Sequence, residues 1–233
     1  MKNLISVILF GFSAMLMISC QGKTGDTSAN EDGSIETVAT ADGETRAFQV
    51  VPASSTIHWE GYKPALATTH TGTIKVSQGK LTVKGNMVQS GSFVFDMNTI
   101  TDTDLKGDNK AKLEAHLKGT AEGKEDDFFN VTKYPTGKFE ITKVIALEND
   151  PEANTMIYGD LTLRGITKPV SFKANVIVDN NTLTATTPQF KIDRTEWDIK
   201  VLSKKFFDNL QDGFVDDQIG LRLELRADTG ANI

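Results

Sequence analysis

The stretch that decides the fold is Val170-Ser171-Phe172-Lys173-Ala174-Asn175-Val176-Ile177-Val178. Apolar residues occupy every second position in it, and the intervening residues are polar except Ile177. Because successive side chains of a β-strand point to opposite faces, this alternation predicts a strand with one dry and one wet face. Strands of that kind are typical of antiparallel sheets, so the sequence predicts an all-β domain.

The same alternation recurs along the chain. Phe93, Phe95 and Met97 share one face, and four apolar residues between 219 and 225 alternate with polar ones. We predict eight main strands, at residues 55–62, 70–77, 80–89, 92–98, 138–148, 154–163, 166–178 and 217–227, with shorter extended pieces near 181–193. Turn-forming residues at 77–80 and 179–181 are predicted to join neighbouring strands.

One helix is predicted to interrupt the sheet. Asp108 is suited to cap its first turn, good helix formers follow, and Gly119 is suited to end it. Leu113 and Leu117 lie one turn apart, so this helix is expected to seal one end of the core. A second, short helical turn is expected within residues 125–131.

The N-terminus has the features of an export signal. A positive residue, Lys2, precedes an apolar run too short to anchor stably in a bilayer, and small Ser19 precedes Cys20. We predict a lipoprotein signal peptide over residues 1–20, with Cys20 as the lipidation site. An ordinary secretory signal, cut elsewhere, is the alternative.

Residues 21–46 are predicted to form a flexible tether, and residues 47–233 the folded domain. The tether is rich in small and polar residues and has too few large apolar ones to bury a core. As a flexible coil it would span on the order of 25–30 Å. The prediction is therefore an exported domain, lipid-anchored to the bacterial envelope at the outer membrane or the periplasmic face.

The charge balance excludes some partners. The chain has 25 basic and 31 acidic residues, a formal net charge of −6. Nucleic acids and anionic lipid heads attract clustered positive charge, so neither is a predicted partner.

Two sequence blocks carry a family resemblance. The first is Asp126-Asp127-Phe128-Phe129-Asn130-Val131-Thr132-Lys133-Tyr134-Pro135, with Lys138-Phe139-Glu140-Ile141 after it, and the second is Gly159-Asp160-Leu161-Thr162-Leu163-Arg164-Gly165-Ile166-Thr167. Further matches are His70-Thr71-Gly72-Thr73-Ile74, Phe93-Val94-Phe95-Asp96-Met97 and Asp193-Arg194-Thr195. Over roughly residues 55–227 the chain resembles the YceI-like family of bacterial polyisoprenoid-binding proteins.

The resemblance implies a fold and a function. It implies an antiparallel, lipocalin-like barrel of eight strands with one or two short helices, which holds an isoprenoid, quinone or similar apolar lipid in its interior. It also allows a homodimer. The alternation alone fits a solid-cored barrel or sandwich equally well, so a scaffold or stress protein acting through its outer surface stays open as the alternative.

The predicted lipid-binding residues are the inward-facing apolar ones. They are Trp59, Phe93, Phe95, Phe128, Phe139, Ile141, Leu161, Leu163, Phe172 and Val176, with Phe129 and Ile199 as further candidates. We expect Phe128 and Phe129 to point in different directions, one plugging the barrel and the other lining its mouth. His70 and Arg194, which fall in the matched motifs, are the candidates for contact with a polar head group. The favoured alternatives are a strand-end hydrogen bond for His70 and a structural ion pair for Arg194.

No catalytic or metal-binding residues are predicted. The three histidines are not spaced as metal ligands. No Gly-x-Ser-x-Gly elbow and no glycine-rich phosphate loop occurs in the sequence. The predicted activity is therefore binding rather than catalysis, with no cofactor apart from the bound isoprenoid or quinone.

Overall fold

The computed structural model describes residues 42–230. The predicted signal peptide, with Cys20, and most of the predicted tether lie outside the described residues. Within them the structure has one α-helix and ten strands. The strands are β1 (Thr45–Val50), β2 (Thr56–Lys63), β3 (Thr68–Lys84), β4 (Met87–Asp102), β5 (Thr136–Ala146), β6 (Thr155–Leu163), β7 (Ile166–Asp179), β8 (Thr182–Thr186), β9 (Phe190–Asp193) and β10 (Gln218–Asp228), and the helix is α1 (Gly107–Lys118).

The sheet closes on itself. Strands β2 to β8 pair in sequence order, all antiparallel, and β10 pairs with both β8 and β2. These pairings make a ring of eight strands within residues 42–230, which confirms the predicted barrel. The two remaining strands extend the wall: β1 pairs with the far end of β3 and with β10, and β9 pairs with β10 beyond the end of β8. Closure leaves the ring without a free sheet edge.

The strand boundaries differ from the prediction between residues 70 and 98. The predicted turn at 77–80 is wrong, because β3 continues to Lys84 and pairs with β4 on both sides of that point. The pairing register shifts between Val76 and Gln78, and the Ser77 hydroxyl donates to the Val94 carbonyl at 2.9 Å. A bulge inserts one extra residue without ending the strand. The turn itself comes at Gly85, whose φ is +59°.

Strand β1 was not predicted, and it begins at Thr45, inside the predicted tether. It alternates as the other strands do, with Phe48 and Val50 buried.

Helix α1 is confirmed, but Lys106 rather than Asp108 is its N-cap and contributes no side-chain cap. The helical turn expected within 125–131 is absent, since this segment forms irregular turns. No helix in the described range is both long and apolar enough to cross a membrane.

Glycines on the inner face make room for aromatic side chains of the neighbouring strands. Trp59 pairs with Gly72, and Phe95 pairs with Gly137. A Cβ at Gly72 would lie 2.4 Å from the Trp59 ring, and one at Gly137 would lie 2.5 Å from the Phe95 ring. Each aromatic side chain therefore lies over a glycine of the next strand, a pairing that stabilises curved sheets.

Candidate functional site

The barrel interior contains a main cavity of about 150 Å³ lined by apolar side chains. Eight of the ten predicted lipid-binding residues line it: Trp59, Phe93, Phe95, Phe128, Phe139, Leu161, Leu163 and Phe172. Phe129, a further candidate, also lines it. The apolar lining residues that were not predicted are Ile57, Ile74, Val76, Met97, Ile100, Leu117, Val170, Phe190, Ile192, Val215, Ile219, Leu221 and Leu223. The alternation in β10 was the signal that could have added Ile219, Leu221 and Leu223 to the prediction.

A second cavity of about 30 Å³ lies further along the interior. It is lined by the remaining two predicted residues, Ile141 and Val176, together with apolar side chains such as Leu183. Three phenylalanines, Phe93, Phe139 and Phe172, line both cavities. The ten predicted residues therefore all lie at one or other of the two cavities.

These three phenylalanines form an aromatic partition between the two cavities. The ring centroids of Phe93 and Phe139 are 6.3 Å apart, and those of Phe139 and Phe172 are 5.4 Å apart. Phe190 stacks on Phe172 at 4.5 Å. Gly159 leaves the space that Phe139 occupies, since a Cβ there would lie 2.3 Å from the Phe139 ring. The partition thus depends on side chains from several strands and on one glycine.

The first sequence block holds two aromatic side chains at the main cavity. The Phe129 amide donates to the Leu117 carbonyl at the end of α1, and the Arg164 guanidinium, in the second block, donates to the Phe128 carbonyl. Both Phe128 and Phe129 line the cavity. The expectation that one of them plugs the barrel while the other lines its mouth stays a prediction.

Arg194 is a buried structural anchor. Its side chain is 1% exposed, and all five of its N–H donors are used. They reach the carbonyls of Ile199, Val201, Val215 and Asp216 and the carboxylate of Asp217, at 2.8–3.3 Å. Arg194 therefore joins two stretches of the loop before β10, and no donor is left for a ligand head group.

Arg194 lines the main cavity, whereas the other two candidates, His70 and Ile199, line neither cavity. The His70 Nδ1 is 3.0 Å from Asp104 Oδ2, at the rim of the barrel, and His70 does not line either cavity. Ile199 is 1% exposed and lines neither cavity. The geometry gives neither residue a contact with a ligand in the interior.

Together the closed sheet and the apolar interior define a lipocalin-like antiparallel barrel. A family model described as the YceI-like domain matches residues 48–227. The chain belongs to this family.

Two kinds of relatives agree with this assignment. UPF0312 proteins of Shewanella denitrificans and Pseudomonas aeruginosa are 35% and 39% identical over 95 residues, 37% of this chain in each case. The match spans less than half of those relatives' length, 45% and 44%.

Among solved structures, a polyisoprenoid binding domain from Saccharophagus degradans superposes with a TM-score of 0.54 at 11% identity, over 78% of this chain and 98% of that domain. Burkholderia cenocepacia BcnA superposes with a TM-score of 0.50 at 15% identity, over 76% and 98%. At these identities the structural likenesses concern the fold.

Proposed function

We propose that the barrel binds the apolar chain of an isoprenoid, quinone or similar lipid. The observation that carries the proposal is the main cavity: a space with apolar walls inside a barrel whose core would otherwise be filled by side chains. A cavity lined by apolar groups stays dry and takes up apolar guests. The solved relative described as a polyisoprenoid binding domain supports the same ligand class for this chain.

The size of the cavity constrains how such a chain binds. A cavity of about 150 Å³ accommodates a benzene-sized molecule, close to one isoprene unit. Burying five carbons contributes ~4 kcal/mol, which only offsets the lower end of the ~4–15 kcal/mol cost of association. Tight binding therefore requires several units, and we infer that a longer chain moves the aromatic partition and enters the second cavity.

The proposed location is the bacterial envelope. It is supported by the apolar run, Ser19 and Cys20 of the N-terminal sequence, which fit export and lipidation. A lipid anchor followed by a flexible segment would hold the barrel near a membrane that contains its ligand. Transport, storage and a homodimer remain hypotheses that follow from the family resemblance.

A pair of arginine substitutions tests the binding proposal. Leu161→Arg places a charge in the main cavity, whereas Ile177→Arg places one on β7 at a side chain that is 56% exposed. We expect the first variant to lose uptake of a polyprenol or quinone and the second to retain it. Circular dichroism of both variants checks that the barrel is folded. Equal uptake by two folded variants would show that the interior is not the binding site.

The alternative is a scaffold that acts through its outer surface. It would require an interior without room for a guest, and the two cavities argue against that. If a delipidated preparation takes up no polyprenyl or quinone lipid where a reference protein with an apolar cavity does, the scaffold hypothesis becomes the better account.

A further inference from the structure

Three potential metal ligands converge at the rim of the barrel. His70 lies on β3, Asp102 is the last residue of β4, and Asp104 follows on the way to α1. One donor atom from each lies within 4.8 Å of the donors of the other two. The histidine and the carboxylates are more than 30 positions apart in sequence, and the pairing of β3 with β4 brings them together.

The burial of Asp102 is a second observation, separate from the short distances among the three residues. Its side chain is fully buried, and Oδ1 accepts a hydrogen bond from the Leu105 amide at 2.7 Å. Its Oδ2 is also buried and has no hydrogen-bond partner within residues 42–230. A buried carboxylate oxygen without a partner is costly, so some species is expected to satisfy it.

A backbone amide holds one oxygen of each carboxylate in place. The Thr71 amide donates to Asp104 Oδ1 at 2.7 Å, as the Leu105 amide does to Asp102. The Thr103 amide in turn donates to the Thr71 carbonyl at 2.8 Å, which ties the loop to β3. Outer hydrogen bonds of this kind orient the ligands of metal sites. Asp104 Oδ2 lies 3.0 Å from His70 Nδ1, and Asp102 Oδ2 has no partner in the described range. A metal ion would therefore take the place of the proton between His70 and Asp104 and would also satisfy Asp102.

The ammonium group of Lys110 is not a hydrogen-bond partner of Asp102 Oδ2. Lys110 Nζ donates to the main-chain carbonyl of Asp102 at 2.7 Å, and it lies 3.7 Å from Glu114. Its hydrogen bond to Asp102 is to the backbone rather than to the carboxylate.

We propose that His70, Asp102 and Asp104 bind a divalent transition-metal ion such as Zn²⁺ or Mn²⁺. The ligands would be His70 Nδ1 and one oxygen of each carboxylate, with water completing the coordination. Imidazole together with carboxylate suits these ions better than Ca²⁺ or Mg²⁺. Ligands at about 2.1 Å from one ion lie roughly 3–4 Å apart, so small side-chain movements suffice. Asp104, with a side chain 32% exposed, gives the ion a path from solvent.

The bound ion would connect β3 to the loop that leads into α1. Leu117 of this helix lines the main cavity, so the ion would stabilise the end of the barrel where α1 packs. The competing explanation is that Asp102 and Asp104 share a proton between their carboxylates. The two accounts differ in whether an added metal ion has any effect.

Titration of the untagged full-length protein tests the proposal. After treatment with a chelator, the protein is titrated with Zn²⁺ and, separately, with Mn²⁺ by calorimetry, and its thermal midpoint is measured with and without each ion. The Cys20→Ser variant serves as the background, because a thiolate would itself bind zinc. We expect one ion per chain and a rise in thermal midpoint on binding.

Matched variants decide the outcome. Asp102→Asn, Asp104→Asn and His70→Gln are each expected to weaken binding at least tenfold, a size typical of a lost ligand or supporting group. Asp108→Asn, on the first turn of α1, and His58→Gln, on β2, are expected to leave it unchanged. If Asp102→Asn does not fold, the Asp104→Asn and His70→Gln variants test the proposal. The proposal would be overturned if the background protein bound no metal ion, or if the ligand variants bound it as tightly as the control variants. A higher thermal midpoint of Asp102→Asn, without any response to metal, would instead show that Asp102 and Asp104 share a proton.

Discussion

At the scale of single residues, Arg194 shows that a motif residue can act through the fold rather than on a ligand. Its five donors join the carbonyls of Ile199 and Val201 to those of Val215 and Asp216 and to the Asp217 carboxylate, and Arg194 itself lines the main cavity. The sequence placed this arginine in a family motif, and an ion pair was one of the predicted roles. The four carbonyl contacts could not be predicted, because they depend on how the loop before β10 folds back.

Replacing Arg194 by lysine should destabilise the barrel. Lysine keeps the charge but has three donors in place of five, so buried carbonyls lose their partners. Each unsatisfied group costs about 1–3 kcal/mol, and we expect a loss of roughly 2–5 kcal/mol in the free energy of unfolding, measured with urea. Arg222→Lys, at a side chain 44% exposed, is the control, with an expected change within about 0.5 kcal/mol. Equal stability of the two variants would contradict the anchor role.

Asp193 should make stability depend on acid pH. Burial works against ionisation of its carboxyl, but Lys205 and the hydroxyl and amide of Thr195 outweigh that effect and hold its pKa below the ordinary 3.8. A lowered pKa in the folded state contributes stability above pH 3.8, and this contribution is lost as the pH falls below that value. We expect Asp193→Asn to be less stable than the parent at pH 7 and to lose less on acidification.

Thermal midpoints at pH 7 and below pH 3.8 measure this effect. Asp208→Asn, on an exposed segment, is the control and should follow the parent protein. If Asp193→Asn loses as much stability in acid as the parent does, the carboxylate contributes nothing at neutral pH and the account of this contact is wrong.

At the scale of elements, the alternation of residues 170–178 predicted β7 almost to its ends. The same reasoning failed at 77–80, because a turn and a bulge use similar residues and the partner strand decides between them. It also missed the aromatic partition. Phe93, Phe139 and Phe172 lie on three different strands, and their stacking follows from the register across the barrel, which a single sequence does not reveal.

If the barrel binds an apolar chain, the aromatic partition should limit the length it accepts. Phe139→Ala removes the central ring and joins the two cavities, so we expect a shift toward longer chains. The measure is the relative affinity for short and long members of a polyprenol series. Truncating a buried phenylalanine costs roughly 3–5 kcal/mol, so the variant must first be shown to be folded.

Leu183→Ala is the matched control for the partition. Leu183 is buried and lines the second cavity only, so its truncation enlarges that cavity without opening the partition. We expect its preference for chain length to match that of the parent. If Phe139→Ala and Leu183→Ala share the parent's preference, the partition does not set the length.

At the scale of the whole molecule, the closed barrel was predictable, whereas the cluster of side chains at its rim was not. The alternation predicted seven of the eight ring strands, but the predicted strand at 80–89 straddles the turn between β3 and β4, and β8 was expected only as a short extended piece. All ten predicted lipid-binding residues lie at the two cavities. The convergence of His70, Asp102 and Asp104 depends on the pairing of β3 with β4, which brings together residues more than 30 positions apart. Spacing rules consider only ligands close in sequence, so they could not find it.

The central claim is that this YceI-like barrel holds an apolar chain. Native mass spectrometry of the protein purified from a bacterial host, before and after solvent extraction, tests it most directly. We expect an excess mass that extraction removes and that matches a polyprenyl or quinone lipid. A protein that shows only the mass of its own chain, and still does so after incubation with such lipids under conditions that load a reference protein with an apolar cavity, would contradict the claim.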